Sequence, residues 1–161
     1  MDASNKYVID LGNGYVRVRW AYLNKSFLPV MDEDLLWSYD GISKDVIIPK
    51  HRLEEMERAL NDKIEKDKKL NRCASLNNKG IAYEKQGKIK LAIDVYERNI
   101  EGDCYPAHHS FDRLLIIYRK QKKYEDEKRV CQRAISVFSS EQKYVDRLLK
   151  IDLLINKQNM V

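Results

Sequence analysis

A chain of 161 residues, 43% apolar and 34% charged, can bury one packed domain or slightly more, and it is too apolar to be a disordered chain. No apolar run approaches the ~20 residues that span a bilayer, and the opening Met-Asp-Ala-Ser-Asn-Lys lacks the apolar core of a secretion signal. A cytoplasmic protein with no membrane partner is expected. The net charge of +5 is uneven: residues 1–48 carry five Lys/Arg against seven Asp/Glu, and residues 49–161 carry 25 against 18. That asymmetry predicts two regions with different surfaces, the second able to attract acidic partners.

Residues 1–48 read as a small antiparallel β region. Tyr7 to Leu11 and Tyr15 to Trp20 flank Asn13-Gly14, and Asn-Gly between alternating apolar runs is a strong hairpin signal. A two-residue loop there predicts the pairs Leu11–Val16, Ile9–Val18 and Tyr7–Trp20 on one face, with Asp10 opposite Arg17 on the other. Phe27 to Val30, Leu35 to Tyr39 and Val46 to Ile48 each read as a short strand. Asp32-Glu33-Asp34 and Asp40-Gly41 read as turns.

At Pro49 the periodicity changes. Proline suits the first position of a helix, and Leu53, Met56, Leu60 and Ile64 follow at helical spacing. A helix is predicted over 50–66, ending or bridging at the polar run Glu65 to Lys69. Beyond it no strand signal occurs. Two segments then match at an offset of 35 residues: Leu76, Tyr83, Tyr96 and Ile100 correspond to Phe111, Tyr118, Cys131 and Ile135. Each segment reads as helix, polar turn, helix, over about 73–102 and about 108–137. A last amphipathic helix over 141–157 carries Tyr144, Leu148, Ile151, Leu154 and Ile155, and is expected to cap the array.

A period near 34 with this layout is a helical-repeat signature. The first segment, Leu76-Asn-Asn-Lys-Gly80-Ile-Ala-Tyr83 with Gly87 and Ala92-Ile-Asp-Val-Tyr96, resembles the tetratricopeptide family. The second departs from it, with Leu115 where Gly80 stands, Glu127 where Ala92 stands and Cys131 in place of the aromatic. The resemblance, covering about residues 73–158, implies a mainly α fold: a two-unit helical repeat with capping helices behind the β region. It also implies a concave groove lined by the first helix of each unit. Carried over by position, the groove comprises Asn77, Ile81 and Glu84, then His109, Asp112, Arg113, Ile116 and Arg119, with Lys120 beside them. Arg113 and Arg119 are planar donors suited to a carboxylate or phosphate. Ile81 occupies a position where the family's carboxylate clamp needs a polar residue, so chaperone-tail binding is not expected.

No catalytic residue, metal or cofactor is expected. Cys104 with His108-His109 lacks metal-ligand spacing. Cys73, Cys104 and Cys131 are odd in number and widely spaced, which reads as reduced, packed thiols. The expected function is a non-enzymatic adaptor that binds an acidic protein or peptide in the groove. The alternative is nucleic-acid binding through the basic half, motivated by Arg119-Lys-Gln-Lys-Lys123 but interrupted by Glu125-Asp-Glu127. Self-association as a homo-oligomer is the third reading.

Overall fold

The computed structural model describes residues 6–159. Three strands and seven α-helices follow in chain order: β1 (Val8–Asp10), β2 (Tyr15–Arg19), α1 (Trp20–Phe27), α2 (Glu33–Trp37), β3 (Asp45–Pro49), α3 (Lys50–Lys85), α4 (Ile89–Ile100), α5 (His108–Lys120), α6 (Tyr124–Val137) and α7 (Gln142–Asn159). The fold is mainly α, with antiparallel helices following one small antiparallel sheet of order β1-β2-β3. The chain divides between Asp67 and Lys68 into two compact units. The division falls within α3 and not at the Pro49 boundary that composition suggested.

In the first unit the hairpin forms, but one residue out of the expected register. Val8 pairs Val18, Ile9 pairs Arg17 and Asp10 pairs Val16. Leu11 N–H donates to Tyr15 C=O at 3.0 Å, so the loop has three residues, Gly12-Asn13-Gly14. Both glycines have positive φ, +75° and +82°. Two side chains stabilise this loop: Asp10 accepts from Gly12 N–H at 2.9 Å and Asn13 from Tyr15 N–H at 3.2 Å. A one-residue shift moves a strand's side chains to the opposite face. Val16 and Val18 are therefore buried with Val8 against them, while Ile9 and Tyr15 face solvent. Asp10 does not meet Arg17; it pairs with Lys50 at 2.8 Å.

Two of the three expected strands between residues 23 and 48 are helices. Trp20 is the first residue of α1, which turns Leu23 and Phe27 inward at helical spacing. Asp32 caps α2 by accepting from Leu35 N–H at 2.8 Å, and Glu33 and Asp34 occupy its first turn. Acidic residues there favour a helix N-terminus, so the run read as a turn is a helix start. The third expected strand is β3, which pairs β2 from Tyr15↔Pro49 to Arg19↔Asp45. Pro49 closes this edge strand, where its missing N–H is tolerated, and does not open the helix. The expected turn at Asp40-Gly41 is present, with the Asp40 carboxylate accepting from Ile42 and Ser43 N–H at 2.8 Å. Val16, Val18, Leu23, Phe27, Leu35, Ile48, Leu53 and Met56 form the core of this unit.

The polar run from Glu65 to Lys69 bridges the helix predicted over 50–66 to the next one and does not end it. α3 runs unbroken for 36 residues. Residues 61–68 are all exposed, so packing does not hold them, but the Lys and Glu residues among them are good helix formers and continue the helix. The end of α3 is the first helix of the first predicted repeat.

In the second unit the repeat is visible in the backbone. Gly87 N–H donates to Glu84 C=O and Lys88 N–H to Tyr83 C=O, both at 2.9 Å; 35 residues on, Lys122 N–H donates to Arg119 C=O at 3.1 Å and Lys123 N–H to Tyr118 C=O at 3.0 Å. The two turns are the same turn. The helix contacts differ in a compensating way. A Cβ on Gly80 would stand 2.2 Å from the Tyr96 ring, so a small residue on the first helix admits a large one on the second. In the next repeat the large residue is Leu115 and the small one Cys131, both fully buried in one cluster. Exchanging large for small between the two helices keeps the total side-chain volume similar, the least costly kind of core change. Phe111, Leu114, Tyr118, Val130, Ala134, Tyr144 and Ile151 complete this core.

The shared turn carries a cost at its second copy. Gly87 has φ +71° and Lys122 adopts φ +56° at the equivalent position, where an L side chain is disfavoured by roughly 1–2 kcal/mol. Lys122→Gly is expected to raise stability by roughly 0.5–1 kcal/mol in urea denaturation, the gain being tempered by glycine's greater chain entropy. A variant no more stable than the parent would show that the strain is absent.

Candidate functional site

Asn77, Ile81 and Glu84 are spaced four and three residues apart on the last turns of α3, so they share one face. His109, Asp112, Arg113, Ile116 and Arg119 recur the same way on α5. Side-chain bonds link the two faces. Ser110 Oγ donates to Asn77 Oδ1 at 2.6 Å, and Asn99 from α4 donates to Asn77 Oδ1 and to Ser110 Oγ, each at 2.9 Å. Arg113 Nε donates to Glu84 at 2.9 Å while its Nη2 holds the other carboxylate oxygen, and Tyr96 O–H donates to Glu84 at 2.7 Å. All the predicted groove residues except Lys120 are half-buried; Lys120 is exposed.

A third helix belongs to this site. On α7, Lys143, Arg147 and Lys150 follow at spacings of four and three. Together with Asp146 and Arg119 they line a cleft of about 590 Å³. Sequence reading assigned this helix to capping alone. The signal it missed is the basic spacing on the flank of α7 beside the apolar stripe.

The electrostatics alter the expected role of the arginines. Glu127 of α6 is fully buried and accepts from Arg119 Nε at 2.7 Å and from Arg147 Nε at 2.8 Å. Arg147 Nη2 also donates to the Leu115 carbonyl at 2.7 Å. Arg113 is held by Glu84 in the same manner. Each predicted anion grip thus already binds an internal carboxylate, and each is about one-third exposed. Asp112 accepts from Tyr144 O–H at 3.0 Å and lies 3.6 Å from Lys143. Ile81, His109, Ile116 and Lys120 remain as groove side chains not engaged in such pairs.

The Arg113 guanidinium holds the Glu84 carboxyl below its ordinary value of 4.5. Burial, and then the Glu84 carboxylate, push the Tyr96 phenol up. Burial pushes the Cys131 thiol up to about 11, which keeps it protonated at neutral pH. His108 stacks on Phe138 at 4.0 Å and its Nδ1 lies 2.9 Å from Tyr144 O–H. His109 instead packs edge-on to Tyr96 with its Nε2 buried and unbonded. The two histidines serve different neighbours, and Cys104 packs on the core. Among the described residues no group of three His, Cys, Asp or Glu side chains is placed to hold a metal ion, and no helix is long and apolar enough to cross a membrane.

No family model, curated protein or solved structure matches this chain.

Two outcomes follow from the ion pairs. The folded state lowers the pKa of Glu84, so its stabilising effect is present above the unfolded value of 4.5 and is lost as pH falls through the lower folded value. The stability difference between wild type and Glu84→Gln should therefore be largest near neutrality and shrink on acidification below 4.5; a gap constant with pH would exclude this linkage. Arg119→Glu places a second carboxylate beside buried Glu127. It is expected to cost about 3 kcal/mol or more in urea denaturation, and near-wild-type stability would mean that Glu127 does not depend on Arg119.

Proposed function

We propose that the second unit is a short tetratricopeptide-type array and that the chain is a non-enzymatic adaptor, binding an acidic protein or peptide on the face shared by α3, α5 and α7. One observation carries this reading. The side chains expected to line a groove lie on linked faces of consecutive first helices, and nearly all are half-buried. They are neither core nor freely solvated, as befits the wall of a concavity made by stacked helix pairs. The identical turns 35 residues apart and the close approach of Gly80 to Tyr96 support the family assignment.

The partner's charge follows from the α7 end of the face. Arg119, Lys143, Arg147 and Lys150 outnumber Asp146 and Glu127 around the cleft. Because Arg113 and Arg119 also bind internal carboxylates, the groove residues outside such pairs are Ile81, Ile116 and Lys120, with His109 packed on Tyr96. Apolar anchors beside a cation suit a peptide that alternates apolar and acidic residues.

The test is affinity capture from the native host with the tagged protein, with and without nuclease. It is repeated with an Ile81→Ala, Ile116→Ala, Lys120→Glu variant whose melting temperature is checked. A nuclease-resistant protein captured by wild type and lost by the folded variant is the expected result. Equal capture by the variant would move the site off this face. A catch removed by nuclease would replace the adaptor reading with nucleic-acid binding.

A further inference from the structure

The outward face of α7 has a pattern that the core does not use, although its first residue, Asp146, also lines the cleft. Tyr144 and Ile151 point inward and are fully buried, which turns Leu149 and Leu153 to solvent; each is 62% exposed. One helical turn before this pair stands Asp146, and one turn after it stands Lys157. Asp146 accepts from Gln142 at 2.7 Å. Among the described residues neither Asp146 nor Lys157 has an ion-pair partner within the chain. Along the helix the exposed stripe therefore reads acid, leucine, leucine, base.

A stripe ordered in this way is complementary to its own reverse. Two α7 helices lying antiparallel, with a two-fold axis at the level of Ile151, place Leu149 of each copy against Leu153 of the other. The same operation brings each Asp146 opposite the other copy's Lys157, to within about one residue's rise of ~1.5 Å. Both apolar side chains are covered and both lone charges are paired, twice over by symmetry. Parallel pairing would set Asp146 against Asp146 and Lys157 against Lys157. We propose that this face docks the same face of a second copy of the chain, in antiparallel register.

Four leucines and two exposed ion pairs make an interface well below the roughly 800 Å² per partner of a permanent complex. The two Lys150 side chains also flank the axis and repel. The dimer is accordingly reversible and concentration-dependent. Its apolar centre, Leu149 and Leu153, lies outside the cleft, and Asp146 is shared with it.

Sedimentation equilibrium of the full chain, from low to high micromolar concentration, tests the proposal. The expected result is a mass rising from monomer toward dimer. Leu149→Ser with Leu153→Ser alters only exposed positions and should stay monomeric with unchanged helical dichroism. Asp146→Lys and Lys157→Asp should each weaken the dimer alone and restore it when the two variants are mixed, because each then meets its opposite charge. A wild type that remains monomeric throughout overturns the proposal. So does a dimer that the serine variant leaves intact, or a mixture no more associated than its components.

Discussion

Glu127 is a carboxylate with no exposed surface, and three helices of the second unit meet at it. α6 supplies the carboxylate, α5 supplies Arg119 and α7 supplies Arg147, which also reaches the Leu115 carbonyl. A buried ion costs several kcal/mol in lost hydration unless its lone pairs are satisfied. Two guanidiniums on two oxygens meet that requirement, and they also fix where α7 lies against α5. The packing of Tyr144 and Ile151 into the common core depends on that placement. An alanine, Ala92, occupies the equivalent position in the first helix pair, where the tie runs instead through Glu84 of α3, held by Arg113 of α5 and Tyr96 of α4.

The repeat is therefore regular in its backbone and irregular in what holds it. Two hydrogen bonds recur in its turns, yet the glycine and tyrosine of the first helix pair give way to a buried leucine and cysteine in the second. This has a functional side. Arg113 and Arg119 are structural cations before they are ligands, and the charge that any partner meets is what remains after Glu84 and Glu127 have been served. That excess lies toward α7, where Lys143, Arg147 and Lys150 line the cleft. The same helix exposes Leu149 and Leu153 beside that cleft, so α7 bears a basic surface and an apolar one.

In the first unit, polar side chains decided what apolar alternation left open. Asp10 and Asn13 bond the hairpin loop and settle its length, and the length sets which side of β1 faces the core. Asp32 turns an apparent strand into a helix by capping it. Both are local bonds of a short polar side chain to a backbone N–H two or three residues on. Such bonds leave no periodic trace.

By itself the sequence determined the mainly helical class, the hairpin's existence, β3, the 35-residue repeat with its turns, and the terminal amphipathic helix. These follow from apolar spacing and from glycine, which act over a few residues. That Asn77, Ile81 and Glu84 share one face of α3, and His109, Asp112, Arg113, Ile116 and Arg119 one face of α5, follows from spacings of three and four. Tertiary structure alone decided the hairpin register, the continuity of α3 through its exposed stretch, the burial of Glu127, the prior engagement of Arg113 and Arg119, and the part played by α7. Each of these depends on which groups meet across tens of residues of chain. A carboxylate in sequence carries the same letter whether water or two arginines surround it.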